Sequence, residues 1–382
     1  MKILHTSDWH IGKKLMGRER YEEHKNVLYE IAEICKAENV DLCLVAGDVF
    51  DTYTPSAEAE EIFYNSVKEI AKHSAVLIIS GNHDDYVRLT AASKITEELN
   101  IYIIGNNLNA VSCKKRGKTY PINSGEGFVI FKNEKGEKVY VNTLPYPNEA
   151  RFKEGKTDES FNEKITRWIN IGENGKTENI PSIFLSHIFA AGGAVSESER
   201  EIDLGGARAV GLNLFPKCNY AALGHLHKRQ KLGDNNVYYS GAIMQFSFDE
   251  CNAEKSVNVF ELAEEGVKNF KQIALKNFVN LIKLQSENVE DGLNLLEKYN
   301  NCYVELTLNL KEPLTQSQST ALRKMQNLIS LKTNVENNSD QRALYSNKNK
   351  SSSQLFCDYY FSRFNNKPSN DLKELFLSIT EE

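Results

Sequence analysis

A chain of 382 residues, 41% hydrophobic and 26% charged, carries enough apolar material for a main domain plus smaller units, which excludes an intrinsically disordered protein. Its net charge of −6 excludes a global attraction for nucleic acid or an anionic membrane, so any polyanion must be held by local clusters. The apolar opening of MKILHTSDWHIG is too short for a leader, no run reaches the length of a membrane helix, and the seven cysteines form no CxxC pair; a cytoplasmic protein with no membrane association and mostly buried cysteines is expected.

In chain order, KILHT reads as a strand and is followed by a helix near Tyr21 to Lys36, with Val27, Leu28, Ile31, Ile34 and Cys35 on one face. VDLCLVAG reads as a buried strand. Ser56 is placed to cap a second helix striped by Ile62, Phe63, Val67, Ile70 and Ala71, and AVLIIS completes a βαβαβ series. Such alternation favours an α/β fold with buried strands. Further strands are expected at GFVIF, KVYVNTL, SIFLS, YAALG and NVYYSG, with a hairpin in VNVFELAEEGVKNFKQIAL, enough for two sheets. After residue 277, a helix near Val289 to Tyr299, the strand CYVELTLNL and a helix near Gln316 to Ile329 suggest a small α+β unit. Residues 333–353 are polar and Asn/Ser-rich, as a linker reads, and QLFCDYYFSRF and SNDLKELFLSI are two short amphipathic helices. The expected divisions are 1–276, 277–332, a linker at 333–353 and a helical tail at 354–382.

Five strand ends carry potential metal ligands: Asp8 and His10 in SDWH, Asp48 and Asp51 in GDVFD, Asn82, His83 and Asp84 in GNHDD, then His187, then His225 and His227 in GHLH. Active sites gather at strand carboxyl ends in α/β sheets, and Gly47, Gly81 and Gly224 are expected to let the chain turn as each ligand leaves its strand. Taken singly, each segment has a plain reading as a turn former, a cap or a solvated histidine, and Asp84 in particular as a helix-start residue. Five together make a site. Carboxylate and amide oxygens with imidazole nitrogens, and no thiolate, suit manganese, iron or zinc. The ligands outnumber what one ion needs, and two ions ~3.5–4 Å apart can clamp an in-line displacement at phosphorus.

Beside these motifs lie the basic residues Lys13, Lys14, Arg18, Lys228 and Arg229, candidates for local contacts with a polyanion backbone, although surface ion pairs would use the same side chains. In the tail, Leu355, Phe356, Tyr359, Tyr360, Leu372, Leu375 and Phe376 would leave apolar surface exposed unless docked on a partner or on the chain's own domain. There is no GxxxxGK[ST] segment, so no nucleotide is expected to bind this chain.

The ordered set DxH, GDxxD, GNHD, a lone histidine and GHxH resembles the calcineurin-like metallophosphoesterase superfamily. The resemblance implies a two-sheet α/β core with a bridging Asp48, one ion held by Asp8, His10 and His227, and the other by Asn82, His187 and His225. It also implies a bridging hydroxide as nucleophile, a catalytic His83 at the scissile phosphate, and a weaker role for Asp51 in orienting His83 or a water. The flanking ILHTSDWHIGK, SGNHDD, LSHIFAAGG and YYSGAIMQFSFDE, together with the tail pattern LFxDYY…KPSxDLxELF, resemble the SbcD family of bacterial nuclease subunits. That likeness covers most of the chain and implies a small α+β capping domain and a tail that grips the coiled-coil root of an SbcC-type ATPase. It further implies two manganese ions, a homodimer within a heterotetramer, exonuclease action on duplex ends and endonuclease action on hairpins and single strands. A small-molecule or cyclic-nucleotide phosphodiesterase is the alternative enzyme, favoured by the acidic charge, and a non-catalytic scaffold is the alternative outside enzymes.

Overall fold

The computed structural model describes residues 1–149, 151, 158–176, 180–196 and 209–335, and in the C-terminal segment Phe356, Cys357, Tyr360, Pro368, Ser369, Leu372, Lys373 and Phe376. Its first sheet is built from β1 (Lys2–Thr6), β2 (Leu42–Ala46), β3 (Ala75–Ile79) and β4 (Ile101–Ile104), parallel to one another, with β12 (Ser256–Ala263) antiparallel beside β1 and β13 (Gly266–Ala274) antiparallel beside β12. The parallel strands are almost wholly apolar because they are covered on both faces. Outside lie α1 (Tyr21–Ala37) and α2 (Ala57–Ala71), whose buried stripes contain the residues that the periodicity selected except Ile34 and Ala71, which are half-buried, and the Ser56 side chain accepts from the Ala59 N–H at 3.2 Å as an N-cap should. Between α2 and β4 lie α3 (Tyr86–Thr90) and α4 (Ser93–Thr96).

The second sheet runs β10 (Gln230–Leu232), β11 (Val237–Tyr239), β9 (Tyr220–Gly224), β8 (Ser182–His187), β7 (Lys138–Leu144), β6 (Phe128–Lys132) and β5 (Tyr120–Gly125) in spatial order. It packs face to face on the first. Ile3, Leu44, Leu77 and Phe260 meet Phe131, Val141, Leu185 and Tyr220 in one continuous core, each such side chain stabilising by about 1.5–3 kcal/mol on burial. The outer face is covered by α5 (Phe161–Glu173), an element that local pattern did not predict. Its apolar stripe of Phe161, Ile165, Trp168 and Ile169 packs on this face, and a capping box between Ser160 and Glu163 starts it.

A third, wholly parallel sheet, β14 (Leu281–Ser286), β15 (Tyr303–Leu310) and β16 (Leu328–Val335), carries α6 (Val289–Lys298) and α7 (Gln316–Arg323) and has its own core of Val304, Leu306, Leu308, Leu296 and Leu322. The expected helix near Gln316 to Ile329 thus stops at Arg323, and β16 takes Leu328 onward into the first three residues of the polar stretch. Here strand pairing with β15 overrides local polarity. The small domain sits against the loop that follows His10: Leu15 and Phe248 pack on Leu281, Tyr303 and Ile329, and Tyr303 donates to Glu23, whose carboxylate pairs with Arg20 at 2.6 Å. In the C-terminal segment, Phe356 stacks on Phe376 with ring centroids 4.2 Å apart, while Leu355, Tyr359 and Leu375 lie outside the described residues, as do most of both expected tail helices.

Candidate metal centre

The five expected segments meet at the carboxyl ends of β1, β2 and β3 in the first sheet and β8 and β9 in the second. The loop after β1 is zipped to the loop after β2 by Asp8 N–H to Gly47 O (3.1 Å) and His10 N–H to Asp48 O (2.9 Å). Four of the site residues take left-handed backbone: Asp8 at φ 52°, His10 at 43°, Asp48 at 49° and His225 at 104°. Each such non-glycine conformation costs about 1–3 kcal/mol and persists only where surrounding contacts hold it. The expectation for the glycines needs correction. Only Gly47 has positive φ (+83°); Gly81 and Gly224 are needed for space, since a Cβ would fall 2.1 Å from Asp48 Oδ1 and 1.8 Å from Ala46 O, respectively.

Three overlapping groups have ligand atoms all within 4.8 Å of one another: Asp8, His10 and His227; Asp8, Asp48 and His187; His10, Asp48 and His83. Asn82 Oδ1 joins them, 2.8 Å from His187 Nε2 and 3.1 Å from His225 Nδ1. All seven expected ligands are therefore together and nearly sealed from solvent.

The hydrogen bonds test whether this set suits a cation. His187 Nδ1 lies 2.8 Å from the Ala46 carbonyl, which can only accept, so Nδ1 carries a proton and the ring turns Nε2, its other nitrogen, toward Asn82 Oδ1 and, at 3.4 Å, toward Asp48 Oδ2. His10 Nε2 faces His227 Nε2 at 2.9 Å and Asp48 Oδ2 at 3.5 Å. Acceptors converge with too few protons to separate them, which is the donor set of a divalent cation.

Ionisation agrees. Burial holds the His10 imidazole well below its ordinary value and His225 down to about 3, so both rings stay neutral and able to ligate. His187 differs: burial lowers it, but the charge and hydrogen bond of Asp48 outweigh burial and raise the ring to about 9, so a cation bound here would have to displace the Nε2 proton that otherwise bridges to Asp48. For Asp48 burial opposes ionisation, yet His187, His83 and His10 keep the carboxylate well below its usual range. Desolvation lifts Asp8 to about 6, although its oxygens accept from Ser7 Oγ (2.5 Å) and His225 N–H (2.9 Å).

Asp51 meets His83 chiefly through its main chain. His83 Nδ1 lies 2.7 Å from the backbone carbonyl of Asp51 and 3.9 Å from its carboxylate, which is closer to His10 Nδ1 (3.4 Å) and Lys13 Nζ (3.2 Å). The side chain thus supports a candidate ligand ring, while the main chain orients His83. Asp84 is no helix-start residue: Asp85 caps α3, and buried Asp84 accepts from the N–H groups of Phe50, Val49 and Gly81, tying together the loops that carry Asp48 and Asn82.

Three contributors are not apparent from local sequence. Arg151, buried, donates to the carbonyls of Gly81 and Asp84 at 2.8 Å each and so clamps the loop of Asn82 and His83; nothing in its neighbouring residues marks it. Glu250 and Lys255 form a buried ion pair against His227; the former stands in SFDE, a stretch with no ligand pattern of its own. Among the basic residues, Arg18 donates to Gln326 O and lies over the Tyr303 ring, Arg229 is held by Glu254 and Ser256, Lys14 pairs with Glu19, and Lys228 is exposed.

The family model of the calcineurin-like phosphoesterases matches residues 1–229. The SbcD subunit of nuclease SbcCD from Bacillus subtilis (strain 168) is 32% identical over 402 residues, which takes in 99% of this chain and 97% of that protein. This chain belongs to the SbcD family of calcineurin-like phosphoesterases. The SbcD proteins of Rhodobacter capsulatus (32% identical, 75% of this chain and 72% of theirs) and Staphylococcus epidermidis (28%, 80% and 79%) are also similar. Among solved structures, the TT1561 protein of Thermus thermophilus covers 72% of this chain and 99% of its own at 13% identity, with a TM-score of 0.40 too low to bear on function. Family membership and the donor set together make the protein a metal-dependent phosphodiesterase of the nuclease type. Among the described residues, no helix is long and apolar enough to cross a membrane.

Proposed function

We propose that the protein is the nuclease half of an ATPase–nuclease pair, cutting DNA phosphodiester bonds at duplex ends and within hairpins or single strands. The observation that carries this reading is the convergence of seven oxygen and nitrogen ligands with a protonatable eighth group, His83, beside them. Asp8, His10 and His227 would hold one divalent ion, Asn82, His187 and His225 the other, and Asp48 would serve both; manganese suits this mixture of hard oxygen and imidazole donors. When bound, such a pair supplies Lewis-acid activation of the phosphate and of a water near neutral pH.

The chain's own residues do the remaining work. With Nδ1 committed to the Asp51 carbonyl, His83 has Nε2 left to hold a proton at the leaving oxygen, and its ring is braced edge-on against His10 at 4.7 Å. Arg151 and Asp84 fix the loop that presents Asn82 and His83, so the positions of ligand and acid are set together. The core through residue 276, the small domain from 277 and the C-terminal segment would then be nuclease, cap and docking site for an SbcC-type ATPase, in a complex with two copies of this chain. Stacked Phe356 and Phe376 support an aromatic docking element.

The test is manganese-dependent cleavage of an end-labelled DNA hairpin by wild type and His83→Ala, with metal content measured on both. Cleavage by the wild type alone, with two ions in each protein, is the expected result. ATP stimulation of the isolated chain would count against the division of labour. A small-molecule phosphodiesterase is favoured by one observation: Lys13, Arg18 and Arg229 are engaged within the molecule. Faster turnover of bis-p-nitrophenyl phosphate or a cyclic nucleotide than of DNA would select it.

A further inference from the structure

We infer that Glu250 is a positioning residue: with Lys255 it fixes the tautomer and orientation of His227 and so sets the affinity of one of the two ion sites. The inference rests on the ligand assignment proposed above and deepens it.

His227 turns Nε2 toward His10 Nε2, 2.9 Å away, and Nδ1 toward Glu250 Oε1, 3.8 Å away. Edge-on contact with Phe246, ring centroids 5.7 Å apart, restricts the ring from a second side. A carboxylate beside Nδ1 favours the proton there, leaving the Nε2 lone pair for a cation, since a ligating imidazole takes its tautomer from the partner of its other nitrogen. Glu250 is itself fixed by Lys255, and the same Nζ donates to the His227 main-chain carbonyl at 3.1 Å. Ring and backbone of one residue are therefore gripped by a single ion pair whose members are 4% and 2% exposed in their side chains. A buried ion pair is seldom a gain in stability over apolar residues of equal size, so its location against a candidate ligand points to geometry as its use. Glu250 also lies in the stretch that reaches the small domain, where Gln245 Oε1 accepts from the Leu281 N–H at 2.7 Å.

The experiment compares full-length wild type with Glu250→Gln/Lys255→Met, which removes both charges while keeping volume, because Glu250→Gln alone would strand a buried cation. Manganese binding is followed by the electron paramagnetic resonance signal of the free ion, alongside melting temperature and cleavage rate. The double variant should melt near the wild type and lose affinity at one of the two sites by about 10–100-fold, the other site unchanged, with the rate restored at saturating manganese. Glu250→Asp should keep part of that affinity. Two sites as tight as in wild type, or both weakened together with a fall in melting temperature, would overturn the inference. Wild-type protein that binds fewer than two ions would overturn the ligand assignment, and this inference with it.

Discussion

The loops at the carboxyl ends of the core strands and the small domain packed beside them bury their side chains in opposite ways. In the small domain, Leu296, Val304, Leu306, Leu308 and Leu322 bury hydrocarbon against hydrocarbon, and the polar face of its sheet pairs Lys332 with Glu305 at 2.9 Å. At the metal centre, Asp8, His10, His187 and His225 are just as buried, but as acceptors facing acceptors on partly left-handed backbone. The small domain satisfies itself. The centre is held by its surroundings in an arrangement that a cation completes, so fold stability and function should separate under mutation.

The sharpest separation is expected at His83. Its replacement by Ala should lower DNA cleavage by about 10²–10⁴-fold, the usual contribution of a general acid, with melting temperature and metal content kept. Loss of metal in that variant would make His83 a ligand instead, as its place beside His10 and Asp48 allows. The converse is Leu306→Ala: the buried side chain should cost about 2–5 kcal/mol in the unfolding of the small domain, measured with denaturant, and leave manganese affinity untouched. A coupled loss of affinity would show that the small domain helps shape the centre.

A smaller effect divides side chain from main chain at Asp51. Asp51→Asn should weaken manganese binding through His10 by about 10–100-fold while His83 keeps its bond to the residue 51 carbonyl, so that rate at saturating metal largely recovers. A rate that stays low at saturating manganese would mean the carboxylate acts on His83 after all. The smallest expected effect lies deeper. His5, between the sheets against Tyr220 and the Leu223 carbonyl, is lowered by burial from 6.5 to about 3. The unfolded chain binds that proton more readily, so this contribution is fully present above pH 6.5 and is lost as pH falls toward 3. Melting temperature should drop less steeply across that window in His5→Asn than in wild type; equal slopes would mean His5 is solvated.

Much of this was readable in one dimension, for a physical reason. A strand run, a helical stripe and a cap each depend on residues within a few positions, so β1 to β3, α1, α2 and the Ser56 cap follow from local pattern. Ligand chemistry was equally local: carboxylates, an amide and imidazoles after apolar strands keep their character wherever the chain takes them. α5 was missed although its signals, the Ser160–Glu163 capping box and the stripe of Phe161, Ile165, Trp168 and Ile169, are local, whereas the polarity of β16 imitates a linker until β15 pairs with it.

The tertiary structure decided what depends on approach between distant segments. Glu250 supports His227 and Arg151 grips Asp84 only because the strands bring those segments together, and no spacing in sequence encodes a meeting across 67 residues. Likewise only packing shows that Gly81 and Gly224 are needed for space, and that Asp51 gives its carbonyl to His83 and its carboxylate to His10. By itself the sequence determined which atoms were available to the centre. Folding decided which of them face one another, because hydrogen-bond partnership, strain and desolvation are properties of contact.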